Sequence, residues 1–297
     1  MDLINELAAI HGYGSYLEIC TYTTGRLYGD LDRRQFTISH RLMYRCPEGY
    51  DDGLPIDFRS AGSEIDTQLA VLRASGVTYD LILVDPFHDY EQSLRDLRAA
   101  RSLLTAKGTI VVHDCRPPDR ELASPEFLAG AWCGVTYKAY LDFMLEAGDL
   151  QFCTVDVDHG CGIIRRRPPQ VSSPAPRKSI LDRLRGSSPA PPAAAALEPS
   201  STGSSVMEAW KQVGDDYEAA FRLVEAYPKS LLNLQPLEDF LDRRAQRIDA
   251  PQVKRGAHGR AGALKPWFAR IFWPSGDRMN RASRYASEFA PSSTVIP

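Results

Sequence analysis

The order of apolar and polar positions over residues 1–168 indicates alternating strands and helices. Two continuous apolar runs, DLILVDP (80–86) and GTIVVHD (108–114), are typical of strands that are buried on both faces of a sheet. Between them leucines and alanines repeat at helical spacing, with Asp89 as the predicted helix cap and Gly108 as the predicted helix end. This strand–helix–strand order predicts two parallel strands joined by a right-handed crossover.

Further patterns extend this arrangement in both directions. The segment YLEIC (16–20) predicts an earlier buried strand, residues 137–145 predict another helix, and the alternating stretch 152–167 predicts an antiparallel hairpin. Repeated units of this kind predict a doubly wound α/β domain over residues 1–168.

Residues 169–205 have a different composition. Of the 34 positions in 172–205, 23 are Ser, Pro, Ala or Gly, and such a segment cannot bury enough apolar surface to order itself. We therefore predict a disordered linker. Apolar residues return over 206–245, where two helices separated by Pro228 are expected to pack on the first domain, because two helices alone make no stable core.

Composition and charge add an asymmetry between the two ends of the chain. The 297 residues are 43% hydrophobic, as expected of a globular protein, and the net charge of −3 argues against a nucleic-acid partner. Residues 246–297 carry nine basic and three acidic residues, or +6, which leaves −9 for residues 1–245. Residues 246–297 are predicted to be a basic, largely flexible tail. Its apolar stretch, LKPWFARIFWP (264–274), fits a peripheral contact with a membrane or a protein, or a segment folded against the body.

Three features favour a cytoplasmic location. No apolar run approaches the roughly 18 residues that span a bilayer, and the N-terminal segment lacks the basic start of a secretory signal. The six cysteines form no CxxC pair, which excludes a zinc ribbon and fits reduced thiols. The sequence does not determine the oligomeric state.

Candidate catalytic groups follow the two predicted central strands. Asp85 ends one strand and Asp114 ends the next, and neighbouring strands lie about 4.8 Å apart. Two carboxylates at that distance repel unless a cation, a donor or a proton lies between them, so they are candidate ligands of a divalent metal such as Mg²⁺, or else simple caps. His88 is a candidate base or a surface histidine, whereas alternation predicts a structural His113 that points away from Asp114.

The segment YDLILVDPFHDYEQSLRDLRAARSLLTAKGTIVVHD (79–114) resembles the fourth strand, helix and fifth strand of class I S-adenosylmethionine-dependent methyltransferases. It is closest to the bacterial family often called methyltransferase 24 and more distantly similar to catechol O-methyltransferases. YLEICTYTTGRLYG (16–29) occupies the place of their glycine-rich loop, and the resemblance covers roughly residues 10–167. It implies a Rossmann-like, doubly wound sheet of seven strands with the last strand antiparallel, followed by C-terminal helices. It also implies methyl transfer to an oxygen, or secondarily a nitrogen, of a small-molecule or glycosidic acceptor.

The resemblance also assigns roles to single residues. In the catechol enzymes, aspartates at the places of Asp85 and Asp114 bind the metal, and the asparagine ligand that follows them is Cys115 here. The catalytic lysine of those enzymes is replaced by His88, which is able to remove the same proton. Thus His88, Asp85 and Asp114 are the expected catalytic residues, and the two aspartates are the expected metal ligands.

The expected cofactor is S-adenosylmethionine, with Mg²⁺ as an optional second group. The residues that would contact the cofactor are Glu18, Cys20, Thr21, Gly25, Ser63 and Asp85. Cys20 stands where the family has its first loop glycine, and Gly25 lies one residue late. The acid that normally ends the second strand and holds the ribose is not found.

Two other functions compete with this enzyme. The altered loop fits a non-catalytic binding module that retains the methyltransferase fold. A hydrolase with Cys115 or Cys20 as its nucleophile is a third hypothesis, although no cysteine–histidine pair is visible in the sequence.

Overall fold

A computed structural model of the chain describes residues 2–24, 27–168 and 201–248. Several predictions concern residues outside these ranges: Gly25, most of the predicted linker, the segment 264–274 and nearly all of the basic tail.

One mixed sheet forms the centre of the molecule. Its strands run in the order β3-β2-β1-β4-β5-β7-β6-β8. Their bounds are β1 Ser15–Thr21, β2 Ile38–Tyr44, β3 Phe58–Arg59, β4 Tyr79–Asp85, β5 Leu104–Val112, β6 Leu150–Val155, β7 Cys161–Arg166 and β8 Leu234–Gln235. Strands β1 to β5 are parallel to one another, and β7 is antiparallel to β5 and to β6. The predicted Rossmann-like sheet is confirmed, and β8 is added to it as a two-residue strand at the edge beside β6.

Helices cover both faces of the sheet. They are α1 Asp2–His11, α2 Asp66–Ser75, α3 Tyr90–Leu103, α4 Thr136–Glu146, α5 Ser201–Lys211, α6 Tyr217–Ala226, α7 Pro228–Leu231 and α8 Leu237–Ile248. Alternate residues of β4 face opposite ways, so Ile82 and Val84 join the core beneath α2 to α7, while Leu81 and Leu83 join the core beneath α1 and α8. Strand β4 is therefore buried on both sides, as its continuous apolar run predicts.

The helix between β4 and β5 begins as predicted and ends earlier than predicted. The Asp89 carboxylate caps α3 by accepting a hydrogen bond from the Gln92 amide at 2.7 Å. The chain becomes extended already at Leu104, so Gly108 lies within β5 and does not end the helix. A Cβ at Gly108 would lie 2.9 Å from the Asp80 carbonyl oxygen. The glycine is thus needed for close contact between the two strands.

The C-terminal helices contact the first domain through polar anchors. Helix α5 begins at Ser201, inside the predicted linker, and its Trp210 indole donates a 2.8 Å hydrogen bond to Asp142 on α4. Tyr137 of α4 donates to the carbonyl oxygen of Tyr217, where α6 begins. Among the residues described, no helix combines the length and apolarity needed to cross a membrane.

Candidate active site

The two aspartates that follow β4 and β5 meet at the carboxyl edge of the sheet. Because β4 and β5 are parallel neighbours with Val84 opposite Val112, Asp85 and Asp114 end the two strands at the same edge. Both residues are only 4% exposed. Burial of two carboxylates so close together requires positive groups between them.

The His88 side chain is one of these groups. Its Nε2 lies 3.4 Å from Asp85 Oδ1 and 3.0 Å from Asp114 Oδ2. The residue has a left-handed φ of +48°, which bends the chain directly after β4 and returns the imidazole over the strand end. Burial alone would lower the pKa of His88, but the hydrogen bonds to Asp114 and Asp85 outweigh burial and raise it to about 9.

The second positive group is His113, and here the prediction from alternation is wrong. Its Nδ1 lies 3.0 Å from Asp114 Oδ2 and 3.7 Å from Asp85 Oδ1, and its Nε2 lies 3.1 Å from Asp158 Oδ2. The reason is that β5 ends at Val112 and Asp114 adopts a left-handed φ of +58°, so side chains beyond the strand no longer alternate.

The histidines and the aspartates of this cluster stabilise each other's charged forms. Burial opposes the protonated ring, yet Asp114 and Asp85 raise the pKa of His113 well above its usual range. Burial would raise the pKa of Asp114, but His113 and then His88 hold it well below its ordinary value. Both ring nitrogens of His113 therefore have a carboxylate partner, Asp114 on one side and Asp158 on the other.

The expected third metal position is not part of this cluster. The Cys115 thiol is buried and faces the Val112 carbonyl oxygen at 3.4 Å. His113 supplies a nitrogen beside the carboxylates instead. Mg²⁺ prefers oxygen ligands, so the Asp85 and Asp114 carboxylates would suit it, whereas the Cys115 thiol and the His113 nitrogen would not.

Two of the six cysteines were candidate nucleophiles, and burial argues against both. Cys20 and Cys115 have no measurable exposed surface. Burial raises the pKa of each thiol well above its usual value, which disfavours the reactive thiolate.

A buried carboxyl group, that of Glu18, lies beside the expected cofactor loop. Glu18 accepts a hydrogen bond from the Tyr16 hydroxyl at 3.0 Å, and its Oε1 is 3.8 Å from Nε of the buried Arg41. Arg41 binds Asp52 more closely, at 2.8 and 3.1 Å. Burial is therefore the main influence on Glu18 and raises its pKa to about 8, although Arg41 opposes the shift.

The loop after β1 is held together by its own hydroxyls. Thr21 Oγ1 lies 2.8 Å from Thr23 Oγ1, and Thr24 Oγ1 donates to the Asp85 carbonyl oxygen at 2.8 Å. The Cys20 thiol faces the Leu42 carbonyl oxygen of the neighbouring strand at 3.8 Å. The loop is thus fixed beside Asp85, and the side chain in the glycine's place is directed toward β2. Gly25 lies outside the described residues.

The family has an acid at the end of the second strand to hold the ribose, but here a cation, Arg45, follows β2. The Arg45 guanidinium carbon lies 3.7 Å from the centre of the Phe87 ring. Ser63 lies farther along this edge, in a groove of about 630 Å³ that it shares with Glu64 and Arg95.

An aromatic group covers His88. The Trp132 ring packs edge-on against His88 at 5.5 Å and also contacts Phe87 and Phe127. Trp132 is anchored by a 2.8 Å hydrogen bond from its indole N–H to the Ser124 carbonyl oxygen. Phe127 remains 53% exposed, so the group reaches from the solvent to the buried histidine.

One known protein family matches the part of the chain that carries this site. Residues 13–115 match the family described as a methyltransferase domain and numbered methyltransferase 24. The matched range contains β1, β4, β5 and every member of the histidine–aspartate cluster except Asp158. Residues 13–115, about a third of the chain, are thus similar to a methyltransferase domain. The expectation of a class I methyltransferase, and with it of an enzyme, is confirmed.

Several solved methyltransferase structures are similar to this chain at low identity. One is the O-methyltransferase TomG from Streptomyces achromogenes in complex with SAM, at 13% identity and a TM-score of 0.42, covering 56% of this chain and 78% of that one. Another is an O-methyltransferase from Bacillus cereus in complex with SAH, at 13% identity and a TM-score of 0.41, covering 56% and 79%. A third is MycE of the mycinamycin pathway with Mg and SAH, at 12% identity and a TM-score of 0.35, covering 55% and 47%. No curated protein matches the chain. At these values the likeness does not extend to residue roles or to the acceptor.

Proposed function

We propose that this methyltransferase transfers the methyl group of S-adenosylmethionine to a hydroxyl oxygen of a small-molecule or glycosidic acceptor, with a nitrogen acceptor as the alternative. One observation supports the proposal above the others. His88 lies between Asp85 and Asp114 at the carboxyl edge of a methyltransferase domain, where ligands of open parallel sheets bind.

The proposed chemistry requires alignment and removal of one proton. S-adenosylmethionine supplies a methyl group that its sulfonium already activates. His88 accepts the hydroxyl proton as the oxygen attacks, while Asp85 and Asp114 hold the imidazole in place. A pKa of about 9 makes His88 a stronger base than an ordinary histidine, although its neutral form is a minority at neutral pH.

The proposed cofactor contacts are Glu18, Cys20, Thr21, Gly25, Ser63 and Asp85. Two contacts support a cofactor position beside the ends of β1 and β4. The Thr24 hydroxyl fixes the loop to the Asp85 carbonyl oxygen at the end of β4. The Cys20 side chain is directed toward β2, so it leaves the space beside the loop free. The internally bonded threonine hydroxyls indicate that cofactor contacts come from the loop's backbone more than from these side chains.

Calorimetric titration with S-adenosylmethionine, followed by a radiolabelled methyl-transfer assay on hydroxylated acceptors, tests the proposal. His88→Ala is expected to reduce transfer by roughly 10²–10⁴-fold while cofactor binding stays near wild type. The matched control is His159→Ala, because His159 is an exposed histidine outside the proposed catalytic residues. Loss of cofactor binding in His88→Ala would make this residue structural.

The same titration separates the enzyme from the non-catalytic module. Absence of binding at millimolar S-adenosylmethionine would contradict the proposed transfer and favour a binding module. Binding of the cofactor with transfer only to amines would replace oxygen by nitrogen as the acceptor atom.

A further inference from the structure

An arginine occupies the place where a ribose-binding acid is expected. Strand β2 ends at Tyr44, and the next residue is Arg45. In nucleotide-binding sheets of this type, an acid after the second strand accepts hydrogen bonds from the ribose hydroxyls. A guanidinium has donors only, so Arg45 cannot replace the acid as an acceptor. The partner that best suits such a side chain is an anion.

The neighbours of Arg45 hold its side chain in place. The guanidinium carbon lies 3.7 Å from the centre of the Phe87 ring, and Nε donates a 3.1 Å hydrogen bond to Gln92 Oε1. The Arg45 backbone amide donates to the Gly62 carbonyl oxygen at 2.8 Å, and the residue has a left-handed φ of +50°. Such a φ is uncommon outside glycine, and strain of this kind concentrates at ligand sites. These contacts fix the guanidinium without using its two terminal nitrogens.

Arg45 is half-buried and has no acidic partner in the part of the chain that the structure describes. There, no carboxylate lies within ion-pair distance of it, and its only side-chain hydrogen bond is the one from Nε. By contrast, the buried Arg41 binds Asp52 and the half-buried Arg95 binds Asp96, each at 2.8 Å. Partly buried cations are normally paired, so the two free terminal nitrogens of Arg45 indicate an anionic ligand.

The charged groups around Arg45 leave this end of the sheet positive. Asp89 is linked to Arg45 only through Gln92, because its carboxylate accepts hydrogen bonds from both the backbone and the side-chain amide of Gln92. Arg59 ends β3 opposite Met43 of β2 and adds a second positive charge, while its own N–H groups bind backbone carbonyl oxygens. An anion at the end of β2 would therefore meet two cations and no competing carboxylate of β2 or β3.

We propose that Arg45 binds a phosphate on the 2′ or 3′ position of the ribose of an adenine nucleotide, and that this nucleotide competes with S-adenosylmethionine. The inference rests on the proposed function, because the proposed cofactor position puts the ribose at the end of β2. In dinucleotide-binding sheets, the same exchange of an acid for an arginine favours phosphorylated ribose. A guanidinium binds phosphate through two parallel hydrogen bonds, which the terminal nitrogens of Arg45 can supply. The bound nucleotide would inhibit methyl transfer.

Calorimetric titration of the full-length chain with five ligands tests the proposal. They are adenosine, its 2′-, 3′- and 5′-phosphates, and S-adenosylmethionine. We expect the 2′- or the 3′-phosphate to bind roughly 10–100-fold more tightly than adenosine and to displace S-adenosylmethionine. The 5′-phosphate should show no such gain, because that position lies at the other end of the ribose. Equal affinity for adenosine and both ribose phosphates would overturn the proposal, and so would an equal gain from the 5′-phosphate.

Variants assign the effect to Arg45. Arg45→Gln should lose the gain from the ribose phosphate, and Arg45→Glu, which restores an acid, should also bind S-adenosylmethionine at least as tightly as the wild type. The control is Arg73→Glu, an exposed position in the last turn of α2, which leads to the start of β4 and thus to the opposite edge of the sheet. An unchanged preference in a folded Arg45→Gln would refute the proposal. Loss of S-adenosylmethionine binding in a folded Arg45→Glu would also refute it, because Arg45 would then hold the carboxylate of the cofactor.

The same titrations distinguish this inference from the proposed methyl transfer. Binding of S-adenosylmethionine and methyl transfer, without any preference for a ribose phosphate, would refute the role of Arg45 and leave the proposed transfer intact. Binding of a ribose phosphate without binding of S-adenosylmethionine would support the Arg45 site and contradict the transfer. Binding of none of the five ligands would contradict both.

Discussion

Replacing the buried Glu18 by glutamine should remove a pH-dependent loss of stability. The carboxyl group has no exposed surface, and burial raises its pKa from 4.5 to about 8. Between these two values the folded chain keeps the proton and the unfolded chain releases it. The unfolded state therefore binds fewer protons, and the free energy of unfolding falls as pH rises through this window.

The size of the effect follows from the two pKa values. Each pH unit within the window costs at most about 1.4 kcal/mol, and the loss between pH 5 and pH 7 amounts to roughly 2–3 kcal/mol. The amide introduced by Glu18→Gln would not titrate. It would retain an acceptor for the Tyr16 hydroxyl, and Arg41 would keep its closer partner Asp52.

Urea unfolding at pH 5, 6 and 7 measures this difference. From pH 5 to pH 7, we expect the free energy of unfolding of Glu18→Gln to rise by roughly 2–3 kcal/mol relative to that of the wild type. Glu48→Gln, at an exposed position, controls for a general change of charge. Parallel pH profiles for wild type and Glu18→Gln would refute the reasoning, because Glu18 would then be ionised in the folded chain.

Three further substitutions test other parts of the site. Gly134→Ala would place a Cβ 2.2 Å from the His88 carbonyl oxygen at a φ of +56°, so thermal unfolding should show a loss of at least about 2 kcal/mol together with reduced transfer. Because the Trp132 ring packs against His88, we expect it to contact the acceptor, so Trp132→Ala should raise KM for the acceptor more than it lowers kcat; a change confined to kcat would contradict this contact. Tyr44→Phe removes the 2.7 Å hydrogen bond to the buried Asp96 and should cost about 1–3 kcal/mol in urea unfolding; an unchanged stability would show that water replaces the hydroxyl.

The parts of the fold with strong periodicity were predictable from the sequence. The apolar run 80–86 predicted the central strand, and Asp89 was correctly assigned as the cap of the following helix. The adjacency of Asp85 and Asp114 follows from parallel strands alone. The end of α3 was missed because Leu104 continues the helical spacing of leucines while its backbone is already extended.

The missed site residues depend on geometry that a pattern does not contain. Alternation wrongly predicted that His113 points away from Asp114. The left-handed backbone at Asp114 cannot be predicted from residue types. Asp158 lies in the turn of the predicted hairpin, where an exposed acid is ordinary, and only the sheet order β5-β7-β6 brings it beside β5. Arg41 lies in β2, whose apolar and polar residues alternate little, and the acids beside it, Glu18 and Asp52, lie outside that strand.

The two-residue strand β8 has a consequence for the solubility of shorter forms of this protein. Without it, β6 would end the sheet with unpaired backbone groups, and such an edge is a template for pairing between molecules. In the folded chain β8 pairs with Thr154 and Val155, and the Asn233 amide donates to the Phe152 carbonyl oxygen. The segment after residue 200 therefore closes the edge of a sheet that the first 168 residues build. A chain shortened to those residues would retain the histidine–aspartate cluster and expose an open strand, so self-association would compete with its folding.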